Sequence, residues 1–201
     1  MTAFRATPRL HCLVSDRDDH ALLPVLAEAG VDGFQVRAKE LGTRDLVALT
    51  RAVVAAVRPH GALVVVDDRV DVALAAGADG VHLGADDLAV ADARGLAPRL
   101  LVGATCRTRT DVEAARADGA DYAGLGPVFA TTSKPGLPAP LGAGAVADAT
   151  GVLPIIAIGG IDADGASAVR ASGAHGVAVI GAIWRHRDPV AAAKELVAAV
   201  A

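Results

Sequence analysis

Short apolar runs punctuate the chain at residues 10–14, 33–36, 62–66, 80–83, 100–104, 122–124, 153–158 and 176–180. They are built of β-branched residues and Leu and are bounded by Gly, Asp or Pro, which predicts buried strands. Between them, residues 20–29, 43–57, 70–76, 88–93, 110–117, 142–149, 163–171 and 189–200 carry helical spacing. Strand–helix alternation along the whole chain predicts right-handed βαβ units and a parallel sheet. An internal echo agrees. AGVDG from Ala29, AGADG from Ala76, DGADY from Asp118 and SGAHG from Ser172 each place a Gly just past a helix, then a turn into the next strand. Eight such units in 201 residues predict one α/β domain over 1–201, a single compact (β/α)8 TIM barrel. A doubly wound open sheet is the second architecture to weigh. It uses fewer strands, and no G-x-G-x-x-G follows the first strand here.

Composition narrows the function. With 53% hydrophobic and 21% charged residues, the chain is not disordered. Aromatics at 2% and a net charge of −4 leave neither a stacking surface nor a basic field for nucleic acid. Two cysteines, Cys12 and Cys106, suit a reducing compartment rather than a disulfide framework. The first residues, MTAFRATPRLHCLVSD, lack the apolar core of a signal peptide. No apolar stretch approaches the ~20 residues of a membrane helix. The expectation is a cytoplasmic protein acting on small molecules, with no nucleic acid and no membrane as partner; the assembly weighed is a homodimer.

In such a barrel the chemistry sits at the C-terminal ends of the strands. Q-V-R-A-K puts Gln35, Arg37 and Lys39 at alternate positions, on one face of a strand. Two cations and an amide suit an anion with several oxygens; the plainer alternative is a strand end pairing with nearby acids. Asp67 and Asp68 follow one apolar run, and Asp86 and Asp87 lie just past the next. Such carboxylates serve as helix N-caps or, beside cations and phosphates, as Mg²⁺ ligands; both readings fit. The long loop GPVFATTSKPGLPAPLG offers Thr131, Thr132, Ser133 and Lys134 in a row, as a phosphate-holding loop or a solvated one. Gly159, Gly160 and Gly181 follow the last two strands, where barrels bind phosphate through backbone N–H groups or simply turn tightly. Cys106 has no base beside it, and His11, Cys12 and the lone His82 read as packing residues.

Taken together, Q-V-R-A-K, V-V-D-D-R-V-D-V-A-L-A-A-G-A-D-G-V-H-L-G-A-D-D, A-D-Y-A-G-L-G-P-V-F-A-T-T-S-K and A-I-G-G-I resemble the thiamine phosphate synthase family, from about Gln35 to Ile183 and in the same order. The resemblance implies a (β/α)8 barrel that joins 4-amino-2-methyl-5-(diphosphooxymethyl)pyrimidine to thiazole phosphate, releasing pyrophosphate with the help of Mg²⁺. It implies that Gln35, Arg37, Lys39, Asp67 and Thr105 contact the pyrimidine diphosphate and that Asp68 and Asp87 bind Mg²⁺. It also implies that Thr131, Thr132, Ser133, Gly160, Ile180 and Gly181 hold the thiazole phosphate. Lys134, Arg37 and Lys39 would be the catalytic groups that neutralise the departing diphosphate.

Three positions depart from the family pattern: Asp67 where Asn is usual, Thr105 where Ser is usual, and Gly181 where Ser is usual. Arg107 also stands where a His is common. An extra carboxylate at 67 is expected to disfavour a diphosphate unless it is hydrogen-bonded or joins the metal. A sister family, the thiazole tautomerases, shares the barrel and much of the V-F-x-T-x-S/C-K loop. Its catalytic His falls at Arg107, and a guanidinium stays protonated and cannot move a proton near neutral pH. A non-catalytic barrel that binds phosphorylated metabolites is the third reading.

Overall fold

The computed structural model describes residues 6–132, 136 and 138–201. Eight parallel strands close into a barrel in chain order: β1 (Leu10–Val14), β2 (Gly33–Val36), β3 (Leu63–Asp67), β4 (Gly80–Leu83), β5 (Leu101–Cys106), β6 (Tyr122–Leu125), β7 (Ile155–Ile158) and β8 (Gly176–Val179). The helices that return the chain are α1 (Leu23–Glu28), α2 (Thr43–Val57), α3 (Val70–Ala76), α4 (Val90–Leu96), α5 (Arg109–Ala117), α6 (Ala143–Ala149), α7 (Ala163–Ala171), α8 (Gly181–Trp184) and α9 (Pro189–Val200). The expected TIM barrel is therefore what forms, and β8 closes on β1 through Leu10, His11 and Cys12.

Apolar periodicity explains the outer layer. In α2, Leu46, Leu49, Val53 and Val57 recur on one face and are buried against the barrel. Val64, Val66, Val81, Val102, Ala123 and Val177 point outward from the strands into the same layer. The inward-facing residues form a second, smaller cluster: Leu13, Val65, Leu101, Tyr122, Ile156 and Ala178. Alternation along each strand decides which side chains enter the barrel and which reach its mouth.

Some element bounds move. The third, fifth and seventh strands start one or two residues later than the apolar runs, because those runs include the turn residues before pairing begins. The expected helix at 20–29 splits into a 3₁₀ turn, His20–Leu22, capped by Asp19, and α1. The helix expected at 88–93 begins at Val90 instead, since Asp87 closes a turn on Gly84 first. Helix α8 was not legible, as four residues carry no period.

Candidate active site

A cleft of about 750 Å³ opens at the C-terminal ends of the strands. Gln35, Arg37, Lys39, Asp67, Asp68, Asp87, Thr105, Thr131, Thr132, Gly160, Ile180 and Gly181 all line it, so one mouth gathers the described residues singled out from the sequence. Ser133 and Lys134 lie outside the described residues. A second cavity, about 470 Å³, lies at the opposite end beside Pro8, Asp32 and Leu63, where barrels do not keep their chemistry.

The cations do not stand free. Gln35 ends its reach into the barrel by donating its Nε2–H to Asp67 Oδ1. Arg37 Nε stands 3.2 Å from Asp67 Oδ2, and Lys39 Nζ stands 2.8 Å from Asp68 Oδ2. Burial pushes the Asp67 carboxyl up to about 7, against the pull of the Gln35 hydrogen bond and the nearby cations. The extra carboxylate at 67 is thus turned to its neighbours, which meets the hydrogen-bonding condition set for it above.

Asp68 holds a left-handed backbone, φ +65°, the one non-glycine residue to do so among those described. Asp tolerates this region better than most residues, and such strain concentrates at functional sites. Its N–H donates to His82 O at 2.8 Å, tying the end of β3 to β4. Burial raises the Asp68 carboxyl, but Lys39 and a hydrogen bond with Asp87 outweigh it and hold it below the usual carboxylate range. Asp87 moves the other way, pushed up by burial and by Asp68. Neither pair of acids caps a helix: the residues before α3 and α4 are Arg69 and Ala89, without a side-chain cap bond. Two carboxylates in mutual hydrogen-bond reach call for a shared proton or a cation between them. An oxygen-only pair fits Mg²⁺, which takes one or two carboxylates and completes its shell with phosphate and water. Among the described residues no third His, Cys, Asp or Glu joins them.

Below the mouth runs a polar column that includes His11 and His82, which the sequence alone marks as packing residues. His82 Nε2 lies 3.1 Å from Thr105 Oγ1, and its Nδ1 lies 3.2 Å from the Tyr122 hydroxyl. The Tyr122 ring stacks on His82, ring centroids 5.6 Å apart, and lies tilted against His11 at 5.5 Å. Glycines make the room: a Cβ on Gly103 would fall 2.1 Å from Tyr122 Cζ, and one on Gly124 2.7 Å from His82 Cε1. Burial pushes the His82 imidazole down to about 4, so it is neutral. The Tyr122 hydroxyl is buried, and its recorded partner is Nδ1, so it donates there. The His82 proton then sits on Nε2 and donates to Thr105 Oγ1, leaving the Thr105 hydroxyl to donate into the mouth. A signal for His82 existed: Gly80 and His82 share the inward face of β4 with the same alternation as Gln35 on β2.

Other expectations fare as follows. Cys12 and Cys106 are buried with their thiols pushed up by desolvation, Cys106 to about 11, which leaves them as packing residues. Arg107 donates to Gly126 O at 3.2 Å and to Ala139 O at 3.1 Å, strapping the ends of the long loop. No helix among the described residues is long and apolar enough to cross a membrane.

Comparison with known proteins bears on the family and the fold. The thiamine monophosphate synthase family matches residues 7–183. A thiamine-phosphate synthase of Chlorobium phaeovibrioides is 42% identical, over 96% of this chain and 95% of its own. The bifunctional thiamine biosynthesis protein ThiM/ThiE of Symbiobacterium thermophilum is 46% identical over 93% of this chain, which spans only 40% of that longer protein. Among solved structures, thiamine phosphate pyrophosphorylase from Pyrococcus furiosus superposes with a TM-score of 0.86 at 34% identity, covering 96% of this chain and 95% of that one.

Proposed function

The chain belongs to the thiamine monophosphate synthase family, and from that premise we infer that its mouth joins a pyrimidine diphosphate to a thiazole phosphate. The products are thiamine phosphate and pyrophosphate. The observation that carries this reading is the charge arrangement of the mouth: Arg37 and Lys39 held over Asp67 and Asp68, with Asp87 within hydrogen-bond reach of Asp68.

The C–O bond between the pyrimidine methylene and the diphosphate must break, its electron pair leaving with the diphosphate. The electron-rich aminopyrimidine delocalises the positive charge left on the methylene. The thiazole nitrogen then supplies the pair for the new C–N bond. No protein nucleophile is needed, so the protein acts by positioning and electrostatics. Gln35, Arg37, Lys39 and the outward Thr105 hydroxyl take the diphosphate, and Asp67 orients Gln35 and Arg37 from below. Asp68 and Asp87 would hold Mg²⁺, which supplies charge neutralisation on the diphosphate oxygens. Thr131, Thr132, Ser133, Gly160, Ile180 and Gly181 take the thiazole phosphate, and Lys134 joins the diphosphate side on the strength of the family motif.

The tautomerase reading needs an acid–base group at position 107. The guanidinium there cannot exchange a proton near neutral pH, and it is engaged by two carbonyls. The deciding experiment incubates the protein with both phosphorylated precursors, with and without Mg²⁺. Thiamine phosphate and pyrophosphate are expected in equal amounts, only when both precursors and Mg²⁺ are present. Aromatisation of thiazole phosphate carboxylate with no condensation would overturn the reading.

A further inference from the structure

Arg185 lines the mouth from the residue just past α8, and no motif singled it out. Its backbone N–H donates to Gly181 O at 3.1 Å, closing the one turn of α8. The turn is pinned to the barrel, since Trp184 Nε1–H donates to Leu13 O at 2.6 Å. Helical side chains lean toward the N-terminus, so residue 185 reaches back over residue 181. At 181 there is only a glycine. A Cβ there would stand 3.3 Å from Arg185 Cδ, 3.5 Å from Nε and 3.7 Å from Cζ. The arginine therefore passes over Gly181, in the cleft that Gly159 and Gly160 also line.

The charge inventory of the mouth gives this placement its meaning. Arg37 and Lys39 are paired with carboxylates, and Arg107 is engaged by carbonyls. Arg185, among the described residues, has no recorded partner of either kind. A guanidinium with all its donors available, beside three glycines whose backbone admits close approach, suits a phosphate group.

We propose that Arg185 binds the phosphate of the thiazole substrate and that Gly181 is glycine because the arginine lies where a serine side chain would be. This rests on the reading that the ends of β7 and β8 face the thiazole phosphate. The two residues then compete for one place: a Cβ at 181 stands 3.3 Å from Arg185 Cδ, so the arginine has to give by a few tenths of an ångström to admit a serine side chain.

The test measures steady-state kinetics with saturating pyrimidine diphosphate and Mg²⁺, varying thiazole phosphate or its unphosphorylated alcohol. Arg185→Ala is expected to raise KM for thiazole phosphate about tenfold, the scale of one charge-assisted hydrogen bond discounted for exposure. It leaves kcat, the KM for pyrimidine diphosphate, and turnover of the alcohol within twofold. Gly181→Ser alone raises KM for thiazole phosphate, whereas the same substitution in Arg185→Ala lowers it, a reversal of sign that loss of packing does not produce. The proposal falls if Arg185→Ala leaves that KM unchanged, if phosphate and alcohol suffer equally, or if Gly181→Ser acts alike in both backgrounds. Absence of thiamine phosphate from the wild-type protein would instead bring down the functional reading on which it rests.

Discussion

Tyr122→Phe removes one oxygen atom from the floor of the mouth and leaves the ring between Gly103 and His11 in place. The variant strips His82 Nδ1 of its donor, which stands 3.2 Å away in the wild type. Loss of a net hydrogen bond costs ~1 kcal/mol, and a stranded buried acceptor raises this to about 1–3 kcal/mol. For a chain of this size that is a fall in Tm of roughly 2–12 °C. The functional effect is separate. Without the Tyr122 hydroxyl the His82 proton can move to Nδ1, Nε2 becomes an acceptor, and Thr105 turns its hydroxyl down to it. The diphosphate then loses one donor, worth about 1.5–3 kcal/mol or roughly 10–100-fold in kcat/KM for the pyrimidine diphosphate. The assay is pyrophosphate release in a double-mutant cycle with Thr105→Val, which removes the same donor directly. Tyr122→Phe should cost little once Thr105 is Val. Equal losses in both backgrounds, or a kcat/KM within twofold of wild type, would refute the relay.

Asp68→Ala and Asp87→Ala should each abolish most Mg²⁺-dependent turnover, with Tm changed by only a few degrees because neither caps a helix; full activity in both would show that these carboxylates do not bind the metal. Gly103→Ala should destabilise the barrel by about 1–3 kcal/mol or more by forcing Tyr122 aside, read by urea denaturation, and Tyr122→Leu should relieve it; an unchanged midpoint contradicts the packing. Stability should fall between pH 7 and pH 5. His11 and His82, pushed down to about 3 and about 4 by burial, stay neutral in the folded protein while their unfolded counterparts take protons below pH 6.5. Each loses on the order of 2 kcal/mol by pH 5, and Asp67, raised to about 7, offsets one of them by protonating in the folded state. Denaturation midpoints at the two pH values check the net loss of roughly 2 kcal/mol; higher stability at pH 5 refutes it.

The barrel was legible because its strands are short, largely apolar runs and its longer helices keep a 3.6-residue period, so these elements announce themselves locally. The mouth was legible where chemistry-bearing residues end a strand: Gln35 follows from alternation, and Asp67, Asp68 and Thr105 from their place at the ends of apolar runs. Pairing across strands was not, since nothing local says that Arg37 faces Asp67 rather than solvent. Tyr122 read as the start of an ordinary apolar strand, because its polar role depends on His82, 40 residues earlier. Arg185 escaped for a similar reason. Its placement depends on a single helical turn and on the missing side chain at 181, and neither leaves a periodic trace.

A mouth that carries its own counterions behaves differently from one that is simply positive. Arg37 is paired with Asp67 and Lys39 with Asp68, so these two cations meet an incoming anion already partnered. On the proposed assignment a bound diphosphate shares Arg37 and Lys39 with Asp67 and Asp68, which compete with it for the same two cations. Pyrophosphate, a highly charged anion that a bare cationic pocket would retain, then leaves cations whose carboxylate partners stand within 3.2 Å. The ion pairs at the ends of β2 and β3 are in this sense a device for letting go.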